Sequence, residues 1–473
     1  MHRLRKKLRK KPKRASGIAS LIFFSGSPFE NISKWRIFAK IFYRYMKQLN
    51  RLFTLLAATL IFAACGEDRT YEYYKLTEEN QWIFSRMQES YLWGDTLKQP
   101  ARNKFFAKSS DFFYSLIQRG DKASHFTDSA TLTSYGLTFG IVRDPLGIKP
   151  GKSYAAVLFV EKGSPAEAAG LKRGMWLTSI GNKNITTSNY GYLERGEATT
   201  VCTARIIPDT VDGAFIWSAD DTLNIPKAVR LDPSALILDS IYYIPDHKVG
   251  YIICNRFDES KSLAPTLAHF ASEGVTDLII DLRYCSGGAL QAAASLASAI
   301  VPEAAGDTFC SLIYNSSNSD KESRYTLPTP PTILHPWHTY IITTNATRGT
   351  AEAFTAAVKY YLGDDKVTLI GQPTAGDNLH TQSIESPYNF TINPAVAAIC
   401  TPDGNILSSD GLTVDYQVNE LQGNKILELG NTNETMLYSA LYHILHGTTP
   451  YEIPEPESVT NIFQTRYKSI VTK

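Results

Sequence analysis

Cysteine, histidine in ligand spacing, long hydrophobic runs and N-terminal acids are all scarce in this chain, and each scarcity removes a class of function. Only six cysteines occur in 473 residues. Beyond Cys65, the other five (Cys202, Cys254, Cys285, Cys310 and Cys400) are far apart and mostly set among apolar neighbours. They are odd in number and form no CxxC, so they read as core residues and not as a disulfide framework. The nine histidines form no HExxH and no paired spacing, so no metal site and no cofactor is expected. The longest apolar run, Leu52 to Ala64, falls short of the ~20 residues that cross a bilayer. Up to residue 64, fifteen Lys and Arg stand against one acid, Glu30. The whole chain is +2 and this segment is +14, which leaves the remainder at −12. A basic arm alone would suggest nucleic acid. This one precedes an export signal, and an acidic, exported remainder is a poor nucleic-acid binder.

That signal begins at Met46. The stretch "MKQLNRLFTLLAATLIFAACGED" has a short basic start (Lys47, Arg51), an apolar run and small residues directly before Cys65, the shape of a secretory signal. "FAAC" resembles a bacterial lipobox, with Phe62 where leucine is usual. The resemblance implies lipidation of Cys65 and a membrane anchor in the cell envelope; the alternative is a signal-anchor helix with an incidental cysteine. Residues 1–45 are then an upstream extension and 46–64 the signal peptide. The 409 residues from Cys65 onward suffice for two or three domains.

The pattern predicts a multi-domain α/β protein in several parts. Residues 65–128 read as helical, with Trp82, Ile83, Met87 and Tyr91 at 3–4 spacing. Residues 129–230 read as short strands with glycines. Residues 245–420 alternate apolar strands with helices, which argues for a mostly parallel sheet whose ligands sit beyond the strands' carboxyl ends. Three junctions stand there: "RYCSGG", "NATRGT" and "GQPTAGDN". The polar, proline-rich 316–337 reads as a surface excursion, and 421–473 as one more helix and a tail.

"GSPAEAAGLKRGMWLTSIGNKNI" resembles a PDZ domain, with Met175 where aspartate is common. Such a module adds an extended peptide to a sheet edge and holds its terminal carboxylate on backbone amides. Here the expected loop is "YGLTFG", with Tyr135, Gly136, Leu137, Phe139 and Gly140. After it, "KVGYIICNRF", "GVTDLIIDLRYCSGGAL", "TAEAF", "GQPTAG" and "TPDGNILSSDGLTVDYQV" follow in the order seen in the tail-specific, or carboxyl-terminal-processing, serine proteases. Together with the lipobox, the chain resembles their lipoprotein branch of Bacteroides-type bacteria. The resemblance implies peptide or protein C-termini as partners.

In that family a serine in an "SxSE"-like turn attacks the peptide carbonyl, and a lysine in a following glycine-rich loop is its base. Amides of a "GG" turn and of the nucleophile turn hold the oxyanion. Matching Glu352 to the motif's glutamate places Gly349 at the nucleophile and Thr350 one step on; matching "GQPTAGD" places Asp377 at the lysine. Gly287 and Gly288 take the oxyanion turn. Thr350 is a possible substitute nucleophile or an N-cap, and Asp377 a possible base for it. Ser286, Lys359 and Lys366 are further candidates. The resemblance thus implies a serine-peptidase scaffold without its serine and lysine, and leaves open both a working peptidase and an inactive peptide-binding adaptor or uptake accessory.

Overall fold

The computed structural model describes residues 39–40, 42–52, 70–128, 133–149, 151–210, 214–260, 262–321, 324–421 and 426–450. Cys65 and most of the expected signal peptide lie outside these residues. The chain divides into two compact units, Met1–Lys75 and Leu76–Lys473. In the first, residues 39–40 and 42–52 lie in an exposed helix, α1. Among the described residues no helix is long and apolar enough to cross a membrane.

In the larger unit the chain continues along α2 (Thr70–Ser90) and into α3 (Ser109–Leu116) and the short strand β1 (His125–Asp128). Ile83, Phe84 and Met87 form the buried stripe of α2, and Tyr91, directly after it, continues the stripe. They pack on Phe105, Phe112, Phe113 and Leu116, and the same core takes in Phe390, Ile392 and Ala395 from far along the chain. Two helices and a turn are too little to enclose their five buried aromatic rings, so a distant segment completes the core.

Strands β2 (Leu137–Arg143), β3 (Ser153–Val160), β4 (Trp176–Ile180), β5 (Lys183–Asn184), β6 (Thr199–Pro208) and β7 (Phe215–Ile225) form an antiparallel sheet. Its order is β2-β3-β4-β6-β7, with β5 on β4. A one-turn helix, α4 (Pro165–Ala168), sits between β3 and β4. Ser164 caps it, its Oγ accepting from the Glu167 amide, and Pro165 opens the turn. The sheet buries apolar residues on both faces, Phe139, Val157 and Leu177 on one, Tyr154, Leu158 and Trp176 on the other. The expected carboxylate loop has a different form. Only Tyr135 and Gly136 precede the strand; Leu137, Phe139 and Gly140 lie within β2, opposite Val160, Val157 and Ala156 of β3. Tyr135 and Phe139 are buried. Apolar alternation, and not loop glycine, decides that stretch. Strand β2 is left as a sheet edge.

The rest is built on β8 (Leu236–Ile244), β9 (His247–Cys254), α5 (Ala264–Glu273), β10 (Asp277–Asp281), α6 (Leu290–Ile300), β11 (Thr308–Tyr314), β12 (Arg324–Thr326), β13 (His338–Thr343), α7 (Thr350–Leu362), β14 (Val367–Gly371), β15 (Leu379–Thr381), β16 (Ile384–Glu385), β17 (Phe390–Asn393), β18 (Ala395–Cys400), β19 (Tyr416–Gln417) and α8 (Thr435–His446). The main sheet runs β19-β14-β13-β10-β9-β8, parallel except for β8. Side chains alternate along its strands. Ile252, Leu278, Ile280, Ile341 and Leu369 face a core with α6 and α7, while Tyr251, Ile253, Ile279, Ile342 and Ile370 face α8. Both faces are covered, as parallel strands require. Strands β12-β11-β18-β15 form a second, antiparallel sheet, and β1-β17-β16 a third. The 316–337 segment is therefore more than a surface excursion, because it supplies β12 and the buried Leu327 and Leu334.

One ionic cluster is buried where these parts meet. Arg283, 0% exposed, sends its fork to Asp281 (2.6–3.0 Å), Glu420 (3.0 Å) and Glu434 (2.8 and 3.0 Å). Arg173, from the turn before β4, reaches Glu420 at 2.7 Å and Glu434 at 3.3 Å, and donates to the Leu158 carbonyl and the Tyr284 hydroxyl. Glu434 also caps α8 through the Leu437 amide. Burial alone would raise the Glu434 pKa, but Arg283 and then Arg173 hold it down at about 2. Arg283→Met would strand three buried carboxylates with one cation. We expect a loss of roughly 3–5 kcal/mol, read as a lower urea midpoint. Arg205→Ala, at a largely exposed pair with Asp220, should cost no more than about 1 kcal/mol. Similar losses in both variants would refute the assignment.

Candidate active-site cleft

Beyond the carboxyl ends of β9, β10, β13 and β14, four turns converge. The first bend is the pair Gly287 (φ 104°) and Gly288 (φ 125°). A Cβ on Gly288 would stand 2.1 Å from the Phe257 carbonyl oxygen, so only glycine fits. Phe257 holds the bend from both sides: its amide donates to Gly287 O and its carbonyl accepts from Ala289 N, both at 2.9 Å.

The second turn links β13 to α7. Thr347 Oγ1 donates to Leu282 O, and the Arg348 amide to Cys285 O, which binds this turn to the double-glycine bend. Gly349 then adopts φ 58°, ψ −118°, a conformation essentially reserved for glycine. Nothing lies within 4 Å of where its Cβ would be. A side chain here would point into open space, as a nucleophile's must.

Glu352, one turn into α7 and 2% exposed, ties this turn to the next. Its carboxylate accepts from the amides of Gly349 (3.0 Å), Gly376 (2.8 Å) and Asp377 (2.8 Å), and from the Thr374 hydroxyl. The glutamate that served as an alignment mark is thus the buried clasp of the cleft. Its signal in the sequence is a charge inside the otherwise apolar helix "TAEAFTAAV". Sequence reasoning also missed Lys122, whose Nζ donates to Ala375 O and Ser409 O and fixes the same loop from outside.

Thr350 is not the N-cap of α7. Gly349 occupies the N-cap position, and the Thr350 hydroxyl donates to Gly288 O at 2.7 Å. It bonds the two turns and does not meet Asp377, so no Thr–Asp dyad forms. Lys359 pairs with Asp364 and Asp415, and Lys366 is exposed at the opposite, amino end of β14. Ser286 is exposed on the bend, without a partner among the described residues.

Asp377 does lie in the cleft wall, 9% exposed, and its Oδ1 has no hydrogen-bond partner. Burial raises its pKa to about 6, with Arg348 opposing and Glu352 and Asp121 adding to the rise. Among the described residues no cluster of His, Cys, Asp or Glu fits a metal ion.

The chain is similar to several known proteins. Residues 248–418 match the model of peptidase family S41, and residues 78–127 that of the peptidase S41 N-terminal domain. A carboxyl-terminal-processing protease of Synechocystis is 23% identical over 58% of this chain and 61% of its own length. The carboxy-terminal processing protease CtpA of Bacillus subtilis is 23% identical over 62% and 59%. The chain therefore spans less than two thirds of these relatives. The crystal structure of a Bacteroides fragilis protein assigned to the S41 proteases is 26% identical, with a TM-score of 0.64 over 77% of this chain and 97% of that one.

The raised Asp377 pKa has a measurable consequence. The folded state holds this proton more tightly than the unfolded chain, so the group costs nothing below about pH 4 and its full penalty above about pH 6. Asp377→Asn should raise stability at pH 7.5 by roughly 1–3 kcal/mol and leave it unchanged at pH 4. A loss at pH 7.5 that disappears at pH 4 would show instead that the ionised carboxylate is needed. Glu352→Gln, which cannot accept all four bonds, should cost about 1–3 kcal/mol. It should also speed amide exchange at Gly376 and Asp377 ahead of the surrounding strands.

Proposed function

Because the chain belongs to peptidase family S41, the tail-specific or carboxyl-terminal-processing proteases, we propose that it is a peptide-binding member that does not hydrolyse its ligand. The observation that carries this reading is the pairing of Gly349 with Asp377. The nucleophile position has the family's elbow but no side chain, and the base position carries a buried carboxyl group. Among the described residues no lysine amine is bonded to a hydroxyl at these turns, and the Thr350 hydroxyl is bonded to Gly288 O. A frame of this kind keeps the oxyanion amides and loses the groups that supply most of the rate.

Peptides or protein C-termini are the ligand class, since the curated relatives process carboxyl termini. The open edge of β2 in a PDZ-like sheet is suited to take an extended chain by strand addition. We place the protein at the cell envelope, held by a lipid on Cys65, because of the "FAAC" segment and the apolar run before it. The reading stays with binding over turnover because both chemical positions have changed at separate loops while the backbone frame has not.

A fluorophosphonate probe should leave the protein unlabelled, unstructured peptides should bind without cleavage, and Thr350→Ala should change neither result. Labelling or turnover abolished in Thr350→Ala would reinstate an enzyme. Cys65→Ala should release the protein from membranes; if it stays bound, the anchor assignment fails.

A further inference from the structure

The amides of Gly287, Gly288 and Thr350 donate to no protein acceptor among the described residues. They stand together: a Cβ on Gly287 would be 3.5 Å from Thr350 N. They also lie at the start of the 13-residue helix α7, whose dipole favours negative charge. Arg348, half-buried one residue before Gly349, makes no side-chain hydrogen bond or ion pair among the described residues, although Asp377 feels its charge. Nothing lies within 4 Å of where a Cβ on Gly349 would be, so the space over that residue is open. Asp377 has a buried oxygen without a partner.

We propose that this cleft is a receptor for a free peptide carboxylate. The C-terminal COO⁻ of an extended chain seats one oxygen on the three amides and the other over Gly349, with Arg348 as countercharge and protonated Asp377 as an added donor. The inference rests on the peptide-binding reading above and names what is bound: the end of a chain and not an internal bond. Loss of the serine creates the room, since a carboxylate carries one oxygen more than the carbonyl of a peptide bond. The surrounding acids select against more highly charged anions. Asp377 faces Arg348 from the turn before α7, Glu352 from α7 itself and Asp121 from the segment before β1, so a dianion would meet three carboxyl groups and one guanidinium. A singly charged carboxylate is accommodated if Asp377 takes up a proton. Its burial has already brought that uptake close to neutral pH.

The test uses the full chain and an unstructured peptide with a fluorescent amino-terminal label, prepared as the free acid and as the C-terminal amide. Fluorescence anisotropy should show the acid binding at least tenfold more tightly, with the preference growing from pH 7.5 to 5.5. Arg348→Gln should abolish the preference. Asp377→Asn should keep it and bind at pH 7.5 as the unaltered protein does at 5.5. Equal binding of acid and amide overturns the proposal. So does a preference that survives Arg348→Gln, because the carboxylate would then be read elsewhere, such as the β2 edge, and peptide binding itself would stand. Loss of acid binding in Asp377→Asn would show that the ionised carboxylate recognises the ligand, the opposite of what is proposed. Binding of neither peptide overturns both this inference and the peptide-binding reading.

Discussion

The forked contact of Arg283 with three carboxylates joins three parts of this molecule at one buried point. It follows β10 by two residues and precedes the Gly287–Gly288 bend by four. Glu434 ties it to the start of α8, and Glu420, shared with Arg173 and Tyr284, ties it to the antiparallel sheet. Apolar contacts of equal area tolerate sliding between neighbours. A planar guanidinium bonded on three sides does not. Burying these charges is costly in itself; what it secures is the placement of the bend, the helix and the sheet with respect to one another.

The turns of the cleft are held largely through main-chain groups. Glu352 binds the turns at Gly349, Gly376 and Asp377 through their amide groups. The double-glycine bend is held by Phe257 through main-chain atoms alone. Side chains at positions 349 and 377 take no part in either set of bonds, so they change without disturbing the geometry around them.

Much of this was legible in the sequence, and the legible parts are local. The 3–4 stripe of α2, the apolar runs of β9, β10 and β13 and the helix "TAEAFTAAVKYYL" all state their own conformation. The positions of Gly287, Gly288, Gly349 and Asp377 around one cleft followed from motif order. The rest is non-local. The pairing of β1 with β17 joins residues more than 260 positions apart, and nothing in either segment announces it. Strand β12 emerges from a polar, proline-rich stretch because Leu327 and Leu334 find apolar partners across the chain. The Thr350 hydroxyl looked like a helix cap because that is the commonest local use; its acceptor is a carbonyl 62 positions away. Arg173 gave no sign of its part, since a basic residue in a tight turn normally faces water.

Gly349 adopts a backbone conformation in which any other residue is strained, and its hydrogen leaves that corner relaxed. Any side chain at this position would carry that strain, so glycine here favours the folded state, and a Gly349→Ser protein would be the less stable of the two.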